Sequence, residues 1–312
     1  MSAPWPVIPY ETWHETCSAL HLYAQIVGKY RLARTPWVNH SWHATLYVDA
    51  RGLTTSLVPD AAGIEIVFNL REHVLSGRAA DGQTAGFPLG SMSVAEFHFR
   101  FLETVAWLGG APELDGRPNE LPDPIPFRDD RLTRPYDADA VERFFRALIA
   151  ISRVFFRFRT GYIGKVSPVH LFWGSFDLAV TRFSGRPAPL HPGGIPFLPD
   201  DVTREAYSHE VSSAGFWPGD AQTKFPAFYS YAYPTPGGFA ESKSAPEGAY
   251  FDQKLGEFVL PYEVVRTSRD PEATLMAFLE STYRAAADLG HWDCGALECP
   301  TGEPLRPRPL RR

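Results

Sequence analysis

The chain has 312 residues, of which 44% are hydrophobic and 14% aromatic, and its formal net charge is -6. This length fits one large domain or two of ordinary size, and the aromatic content is sufficient for a sizeable core. The modest negative charge argues against a nucleic-acid-binding protein, which normally presents a basic face.

The first part of the sequence predicts a helix, a group of strands and a second helix. Thr12 and Glu15 have the spacing of a capping box, and the apolar spacing after them continues to about Ala33. The alternating segments HATLYVDARGLTTSLV and IEIVFNL predict strands, the first of them a hairpin. A second capping box, Ser93 and Glu96, begins the helix VAEFHFRFLETVAWL.

The second part repeats this order after a long connection. Residues 110–135 contain six prolines and no periodicity, which is typical of a surface connection. Asp137 is placed to cap the next helix, the segments SFDLAVTRF, AFYSYAY and GEFVLPYEVV resemble strands, and Asp270-Pro271 begins a last helix. The proline-rich, basic segment 293–312 is predicted to be a disordered tail.

Both halves, about residues 11–110 and 137–290, therefore predict helix, strands and helix within one unit of residues 1–292. Each half also contains, in order, Gly-Lys, a proline, a histidine, a tryptophan, an alternating strand and a turn glycine. We expect an α+β fold in which helices pack on antiparallel sheet and the two halves are similar. In such a fold the two Trp-bearing segments would meet at a pseudo-twofold axis, which is a usual place for a pocket.

Several functional classes find no support in the motifs. The chain lacks G-x-G-x-x-G after a strand, G-x-S-x-G and H-E-x-x-H, and GYIGKV lacks the spacing and the following hydroxyl of a phosphate loop. The N-terminal segment has neither the basic nor the apolar part of a signal peptide, and no apolar run could span a bilayer. The three cysteines match no zinc or thioredoxin spacing, so we expect reduced thiols in a cytoplasmic protein without a membrane partner.

Histidines beside aromatic residues are candidate metal ligands. NHSWH supplies His40 and His43, and AYSHEV supplies His209 and Glu210. Neutral imidazoles and a carboxylate suit zinc, iron or manganese with an open coordination position. None of these pairs has a diagnostic spacing, so the alternative is that each histidine binds a backbone carbonyl at a partly buried position.

The same segments predict an acid-base site. We predict that NHSWH, SPVHLFW and AYSHEV line one cavity, with His40, His170, His209 and Glu210 nearest its centre. Each segment lies at an expected junction of elements, where side chains converge and aromatic neighbours exclude water. His170, His209 and Glu210 are the candidate catalytic residues. His43 is the second choice, because strand alternation turns it away from His40.

Candidate substrate contacts lie around these histidines. Lys165 precedes a strand, Arg186 begins a loop, and Arg182 lies on an apolar strand face that requires a carboxylate or an anionic ligand. Alternation along SFDLAVTRF places Asp177 on the opposite face from Arg182. Trp217, in SAGFWPG, is interpreted as a loop residue that lines a pocket. The predicted substrate-binding set is Lys165, Arg182, Arg186, Trp173, Trp217 and Asn39.

Four segments together resemble an uncharacterised bacterial family known only as a domain of unknown function: NHSWHATLYVDARGLTTS, GKVSPVHLFWGSFDLAVTRFSGR, AYSHEVSSAGFWPG and GEFVLPYEVVR. The resemblance covers the chain from Trp13 to Trp292. It implies that the chain acts as one unit and that the shared His, Asp and Arg residues serve a site. It implies no reaction and no catalytic residue.

Three functions remain open. The first is a cytoplasmic small-molecule enzyme, with or without a divalent transition metal. The second is a non-catalytic protein that binds a small anionic metabolite through Lys165, Arg182 and Arg186. The third is an interaction module that uses exposed tryptophans such as Trp217. A concave pocket, rather than a flat apolar patch, would distinguish the first two from the third.

Overall fold

A computed structural model describes residues 5–308 of the chain. The architecture is α+β, with helices packed against antiparallel sheets, as the sequence predicts. None of the helices in the described residues is long and apolar enough to cross a bilayer. They are α1 Tyr10–Arg34, α2 Val94–Trp107, α3 Ala138–Thr160, α4 Asp200–Ala206, α5 Tyr262–Thr267, α6 Pro271–Leu289 and α7 Cys294–Leu297, with a 3₁₀ helix at Asn39–Ser41.

Three predicted helix starts are confirmed by side-chain caps. Ser93, Asp137 and Asp270 each accept a hydrogen bond, at 3.0 to 3.1 Å, from the backbone N–H three residues further along. The first helix begins earlier than predicted, directly after Pro9, and the Thr12 hydroxyl donates to the Pro9 carbonyl. Proline favours the start of a helix, because its fixed φ is compatible with the first turn.

In residues 5–308 the first half of the chain forms a five-stranded antiparallel sheet in which neighbours in sequence are neighbours in space. This arrangement follows from short hairpin connections, including the predicted hairpin in HATLYVDARGLTTSLV, which pairs Tyr47–Val48 with the strand that begins at Gly52. The strands are β1 Tyr47–Val48, β2 Gly52–Val58, β3 Ile64–Asn69, β4 Val74–Ala79 and β5 Thr84–Pro88. A separate two-stranded ribbon pairs β6 Met92–Ser93 with β7 Thr133–Arg134.

The second half of the described chain forms a six-stranded antiparallel sheet in the order β12-β13-β11-β10-β9-β8. The interpretation of SAGFWPG as glycine-bounded loop is wrong for its first five residues, which belong to strand β10, His209–Trp217. The predicted strand GEFVLPYEVV divides at Pro261 into a strand and α5. The strands are β8 His170–Phe172, β9 Asp177–Pro187, β10 His209–Trp217, β11 Ala227–Tyr233, β12 Tyr250–Asp252 and β13 Glu257–Pro261.

The two sheets meet edge to edge at the two Trp-bearing segments. Leu46 and Leu171 exchange two backbone hydrogen bonds, of 2.9 and 2.8 Å. The Trp173 indole donates to the carbonyl of Ala44 at 2.7 Å. Gly28 permits this contact, because a Cβ at that position would overlap the indole ring. The similarity of the two halves stays a prediction.

The segment after α6, which was predicted to be disordered, contacts the protein over most of its length. Residues 294–297 form α7, and the Cys299 N–H donates to the Gly161 carbonyl at 3.1 Å. Glu298 accepts a hydrogen bond of 3.0 Å from the buried Tyr283 hydroxyl. Composition alone does not reveal such long-range pairing. The last four residues of this segment, 309–312, lie outside the described residues.

Candidate functional site

A cavity of about 580 Å³ lies on one face of the six-stranded sheet. Its size is within the usual range of small-molecule sites. Strands β9, β10, β11 and β13 form the floor, and the C-terminal end of α1 together with residues 37–44 and 115–120 forms the walls. Residues 195–207, which we call the α4 segment, form the remaining side.

Strand alternation determines which side chains reach the floor. Asp177, Ala179 and Thr181 line the cavity, whereas Arg182 lies on the opposite face of β9, as the alternation predicts. The Thr181 hydroxyl is 2.8 Å from the hydroxyl of Ser213, its direct neighbour on β10. Asp177, Thr181 and Ser213 provide a small, polar centre on a floor that is mostly aromatic elsewhere.

Asp177 forms the central polar contact of the floor. It is 4% exposed and accepts a short hydrogen bond from the Tyr229 hydroxyl, although β10 separates the two strands. Gly215, directly opposite Tyr229 on β10, leaves room for the phenol ring, which a Cβ would overlap. Burial raises the pKa of Asp177 to about 7, while the Tyr229 hydrogen bond acts in the opposite direction.

Two further carboxyl groups that line the cavity, those of Glu257 and Glu120, also have raised pKa values. Glu257 is the first residue of β13, and its buried Oε2 has no hydrogen-bond partner among the described residues. Burial raises the pKa of Glu257 to about 8, and the Asp177 charge adds to this effect. Glu120 accepts a hydrogen bond of 2.6 Å from the Ser175 hydroxyl, and burial raises its pKa as well. The cavity therefore holds three carboxyl groups that resist ionisation.

Tyrosines surround these carboxyl groups. The Tyr207 hydroxyl of the α4 segment lies 2.9 Å from the Tyr231 hydroxyl. Burial raises the pKa of Tyr207 to about 12 and holds the pKa values of Tyr229 and Tyr231 well above the ordinary value. All three phenols are therefore neutral hydrogen-bond donors near pH 7. Trp217 packs on Tyr229 with 4.5 Å between ring centroids.

His40 is the one predicted histidine that lines the cavity in the described residues. Its Nδ1 lies 2.7 Å from the Ala206 carbonyl, so Nδ1 donates and Nε2 accepts from the Lys165 ammonium at 2.5 Å. Its backbone N–H donates to Glu205 at 2.9 Å. His40 and Ser41 have φ values of 60° and 58°, a left-handed conformation that is unfavourable for residues other than glycine. His40 thereby connects the cavity wall to the α4 segment.

The other predicted histidines do not line the cavity. His170 is fully buried behind it, between Trp42 and Tyr47, and neither ring nitrogen has a hydrogen-bond partner in the described residues. Burial lowers the pKa of His170 to about 3. His43 is bound to the backbone of Val38. The His209 ring lies 5.9 Å from the His40 ring, edge to face, but outside the lining.

Glu210 and the two predicted arginines are engaged elsewhere. Glu210 binds Arg186 at 2.6 Å and the Ser184 hydroxyl at 2.7 Å. Arg182 is 1% exposed; it donates to the Phe158 carbonyl at 2.6 Å and contacts Glu280 at 3.4 Å. The ion pair that was the alternative interpretation of Arg182 is therefore present. None of these residues lines the cavity.

Of the other residues predicted to bind substrate, some line the cavity and some do not. Trp173 and Trp217 line the cavity, although Trp217 is the last residue of β10 and not a loop residue. Lys165 does not line the cavity, but its ammonium bonds to His40 and lies 5.3 and 4.9 Å from the ring centroids of Trp42 and Phe183, which do. Asn39 is exposed and does not line the cavity. The predicted segments thus come close together, but their side chains form the rim and the back of the site more than its centre.

The sequence interpretation missed the residues at the centre. The alternation in AFYSYAY places Tyr229 and Tyr231 on one face, which is a signal that could have identified both. Glu257 opens a strand and carries no local signal. Glu120 lies in the proline-rich connection, where nothing indicates that it reaches a cavity.

The residues predicted to bind a metal do not form a cluster of metal ligands in the described residues. Within residues 5–308 no three His, Cys, Asp or Glu side chains are close enough together to hold a metal ion. Of the four candidate ligands, His40 binds Ala206 and Lys165, and His43 binds Val38. The metal stays a prediction without structural support.

Comparison with known proteins identifies the family of this chain but indicates no activity. Residues 5–299 match the model of a family of unknown function, DUF5996, and the chain belongs to this family. The predicted resemblance to a domain of unknown function is thereby confirmed. No curated protein and no solved structure matches the chain significantly.

Proposed function

We propose that this member of the DUF5996 family is an enzyme that binds a small organic molecule in the cavity and transfers a proton to or from it. Asp177 is the group that exchanges the proton, and Tyr229 is its hydrogen-bond partner. One observation supports this proposal most strongly: a buried carboxyl–phenol pair lies on the floor of a cavity large enough for a metabolite.

The environment of Asp177 suits proton transfer near neutral pH. A general acid or base is most effective when its pKa is near the working pH, and burial raises the pKa of Asp177 to about 7. When Asp177 is protonated, its carboxyl can donate to a ligand. When it is ionised, the Tyr229 hydroxyl stabilises the carboxylate by continuing to donate to it. The same pair therefore supports both directions of transfer.

The geometry of the cavity favours a small-molecule enzyme over an interaction module and over an anion-binding protein. An interaction module would present its tryptophans on an open surface, whereas Trp173 and Trp217 line a concave wall. An anion-binding protein would need free cations at the site. Arg182 and Arg186 are instead paired with Glu280 and Glu210. Lys165, the third cation of that hypothesis, donates to His40 and does not line the cavity.

The finer predictions form part of the proposal. A cytoplasmic location is consistent with the three free cysteines, which are typical of a reducing compartment. The net charge of -6 favours a small-molecule ligand over nucleic acid, and we propose no membrane partner. The internal duplication and the bacterial origin stay predictions.

The test is a search for turnover. A metabolite extract would be incubated with the wild type, with Asp177→Asn and with Glu247→Gln, whose side chain is exposed and does not line the cavity. Mass spectrometry would compare the three mixtures. We expect a compound that disappears with the wild type and the Glu247 variant but persists with Asp177→Asn.

Two further variants distinguish binding from chemistry. Ala179→Phe fills the cavity and is expected to abolish turnover by excluding the ligand. Tyr229→Phe retains the ring and is expected to slow turnover. Equal turnover by Asp177→Asn and the wild type would refute the role of Asp177, and an extract unchanged by the wild type would count against an enzyme.

A further inference from the structure

We infer that the ligand of this cavity is an organic cation, such as a protonated amine or a quaternary ammonium compound. The inference rests on the proposed function, because it takes the cavity as the ligand site. It goes further by assigning the charge and the chemical class of the molecule that the site accepts.

The charge of the lining supports this assignment. Lys29 is the only lysine or arginine among the lining residues in the described chain, and Asp115 neutralises it at 2.7 Å. Asp177, Glu120 and Glu257 also line the cavity, and none of them forms an ion pair within residues 5–308. The cavity therefore has three carboxyl groups in excess of its cations.

In the described part of the chain, the carboxyl groups of Asp177, Glu120 and Glu257 lack a positively charged partner that a bound cation could provide. Glu257 Oε2 is buried and lacks a hydrogen-bond partner among the described residues. Asp177 and Glu120 are each bonded to a neutral hydroxyl, of Tyr229 and of Ser175. A buried carboxylate without a positive partner is unfavourable, and a bound cation would supply that partner. An anionic ligand would meet three acidic groups, and the cations nearest the cavity, Lys29 and Lys165, are already bonded to Asp115 and His40.

The aromatic lining adds a second attraction. Cations bind to the faces of tryptophan and tyrosine rings within about 6 Å of the ring centroid. The same cavity is lined by three neighbouring rings, those of Trp217, Tyr229 and Tyr231. The wall already uses this interaction, because the Lys29 ammonium lies 5.7 Å from the Trp173 ring. Acidic groups combined with several rings are characteristic of ammonium recognition.

A neutral polar ligand fits less well. Such a ligand, for example a sugar, requires donors and acceptors in comparable number around it. Asn119 is the only amide side chain among the lining residues of the described chain, and no arginine lines the cavity there. Most of the wall is aromatic or aliphatic, which suits the methyl and methylene groups of an organic cation.

The assignment predicts the pH dependence of binding. A cation whose charge does not change with pH, such as a quaternary ammonium ion, binds best to ionised carboxyl groups. Its binding therefore releases protons from these groups, and its affinity rises with pH. We expect the affinity for the cation to rise as pH increases through the pKa of Asp177, about 7, and that of Glu257, about 8. Its slope is up to about tenfold per pH unit for each proton released. The titratable groups that face these two carboxyls are Glu120, Asp252, Tyr207, Tyr229, Tyr231, His40, and Lys29 with Asp115.

The experiment uses three probes of one shape. Choline is the cation, neohexyl alcohol replaces its nitrogen with carbon and is neutral, and tert-butylacetate is the corresponding anion. Calorimetric titration of the full chain would measure each affinity, and the four lining tryptophans would report binding by fluorescence. We expect choline to bind at least about tenfold more tightly than the neutral probe, and tert-butylacetate to bind most weakly.

Variants connect this preference to the acidic groups. Glu257→Gln is expected to reduce choline affinity by about tenfold and to weaken its pH dependence, while the affinity for neohexyl alcohol is retained. Asp177→Asn is expected to act in the same way. Glu247→Gln is the control with an exposed glutamate and should leave all three affinities unchanged. Retained binding of the neutral probe shows that a variant has kept its fold.

The outcomes separate the two proposals. Equal or tighter binding of the neutral or anionic probe would overturn the cation assignment, as would the absence of binding by choline and by the larger tetraethylammonium ion at every pH. A neutral or anionic compound that is turned over in an Asp177-dependent way would likewise overturn this assignment, while the proposed enzyme function would stand. Cation binding without any turnover would support the assignment and count against the enzyme.

Discussion

The Tyr229 hydroxyl donates a hydrogen bond to Asp177 across a complete intervening strand. Strands two apart in a sheet are separated by about 9.5 Å, which a side chain spans only by lying flat over the strand between them. Gly215 provides that flat path, because it has no Cβ beneath the phenol ring. One small residue on β10 therefore establishes the central pair of the site.

Gly215→Ala is expected to displace the Tyr229 ring and break its bond to Asp177. The Tyr229 hydrogen bond lowers the pKa of Asp177, so its loss should raise that pKa above about 7. The added Cβ should also lower the free energy of unfolding by about 1–3 kcal/mol. Carboxyl carbon NMR across a pH titration would measure the first effect, and urea unfolding the second.

Two other variants control for this result. Tyr229→Phe should raise the pKa of Asp177 without the steric effect. Gly116→Ala should change neither quantity, because among the described residues no atom beyond its two chain neighbours lies within 4 Å of a Cβ at position 116. An unchanged or lowered pKa of Asp177 in Gly215→Ala would show that the glycine does not determine the pair.

Asp177→Asn is expected to change how stability depends on pH. The folded-state pKa of Asp177, about 7, lies above its ordinary value of 3.8, so the folded protein holds this proton more tightly than the unfolded chain does. Its contribution to stability is therefore complete below about pH 4 and is lost as pH rises towards about 7. The stability of the wild type relative to Asp177→Asn should fall over this window, by at most about 1.4 kcal/mol per pH unit.

Urea unfolding at several pH values would measure that difference. Glu257 contributes with the same sign up to about pH 8, so Glu257→Gln should show a similar effect that ends at higher pH. A stability difference that stays constant or increases with pH would mean that Asp177 titrates near its ordinary value in the folded protein.

His40→Ala is expected to loosen the α4 segment. The imidazole binds the Ala206 carbonyl at 2.7 Å and the Lys165 ammonium at 2.5 Å, so its removal leaves that carbonyl without its side-chain partner. Backbone amides of residues 200–208 should then exchange with deuterium more rapidly, which mass spectrometry can follow. His43→Ala is the matched control, because His43 binds Val38 and not the α4 segment. Equal exchange in both variants would refute this role of His40.

Arg182 and Arg186 should respond very differently to substitution by alanine. Arg182 is buried against the Phe158 and Tyr283 rings, and its loss should lower the free energy of unfolding by about 2–5 kcal/mol, because it leaves a cavity and removes a donor from the Phe158 carbonyl. The Arg186 side chain is about half exposed in its ion pair with Glu210, and its loss should change that free energy by about 1 kcal/mol. Chemical unfolding would measure both.

Neither substitution should weaken the binding of a cavity ligand under conditions where the variant is folded. Choline titration provides that measurement. A specific loss of affinity in Arg186→Ala, with stability unchanged, would restore the sequence-based interpretation of this arginine as a ligand contact.

Local signals in the sequence determined most of the secondary structure. Ser93, Asp137 and Asp270 cap helices where their spacing predicts, because a cap depends on a backbone N–H only three residues away. Alternation placed Asp177 and Arg182 on opposite faces of β9, since successive side chains of any strand point in opposite directions. The α+β class followed from these elements.

Only the tertiary structure decided which of these elements meet, and hence the centre of the site. Asp177 faces Tyr229 because β10, whose small residues conceal it in the sequence, lies between their strands. Glu120 reaches the cavity from a connection without periodicity, and His170, which the sequence favoured, is buried behind the wall. Caps and alternation depend on a few neighbouring residues, whereas strand order and the depth of a side chain depend on how all the apolar faces pack together.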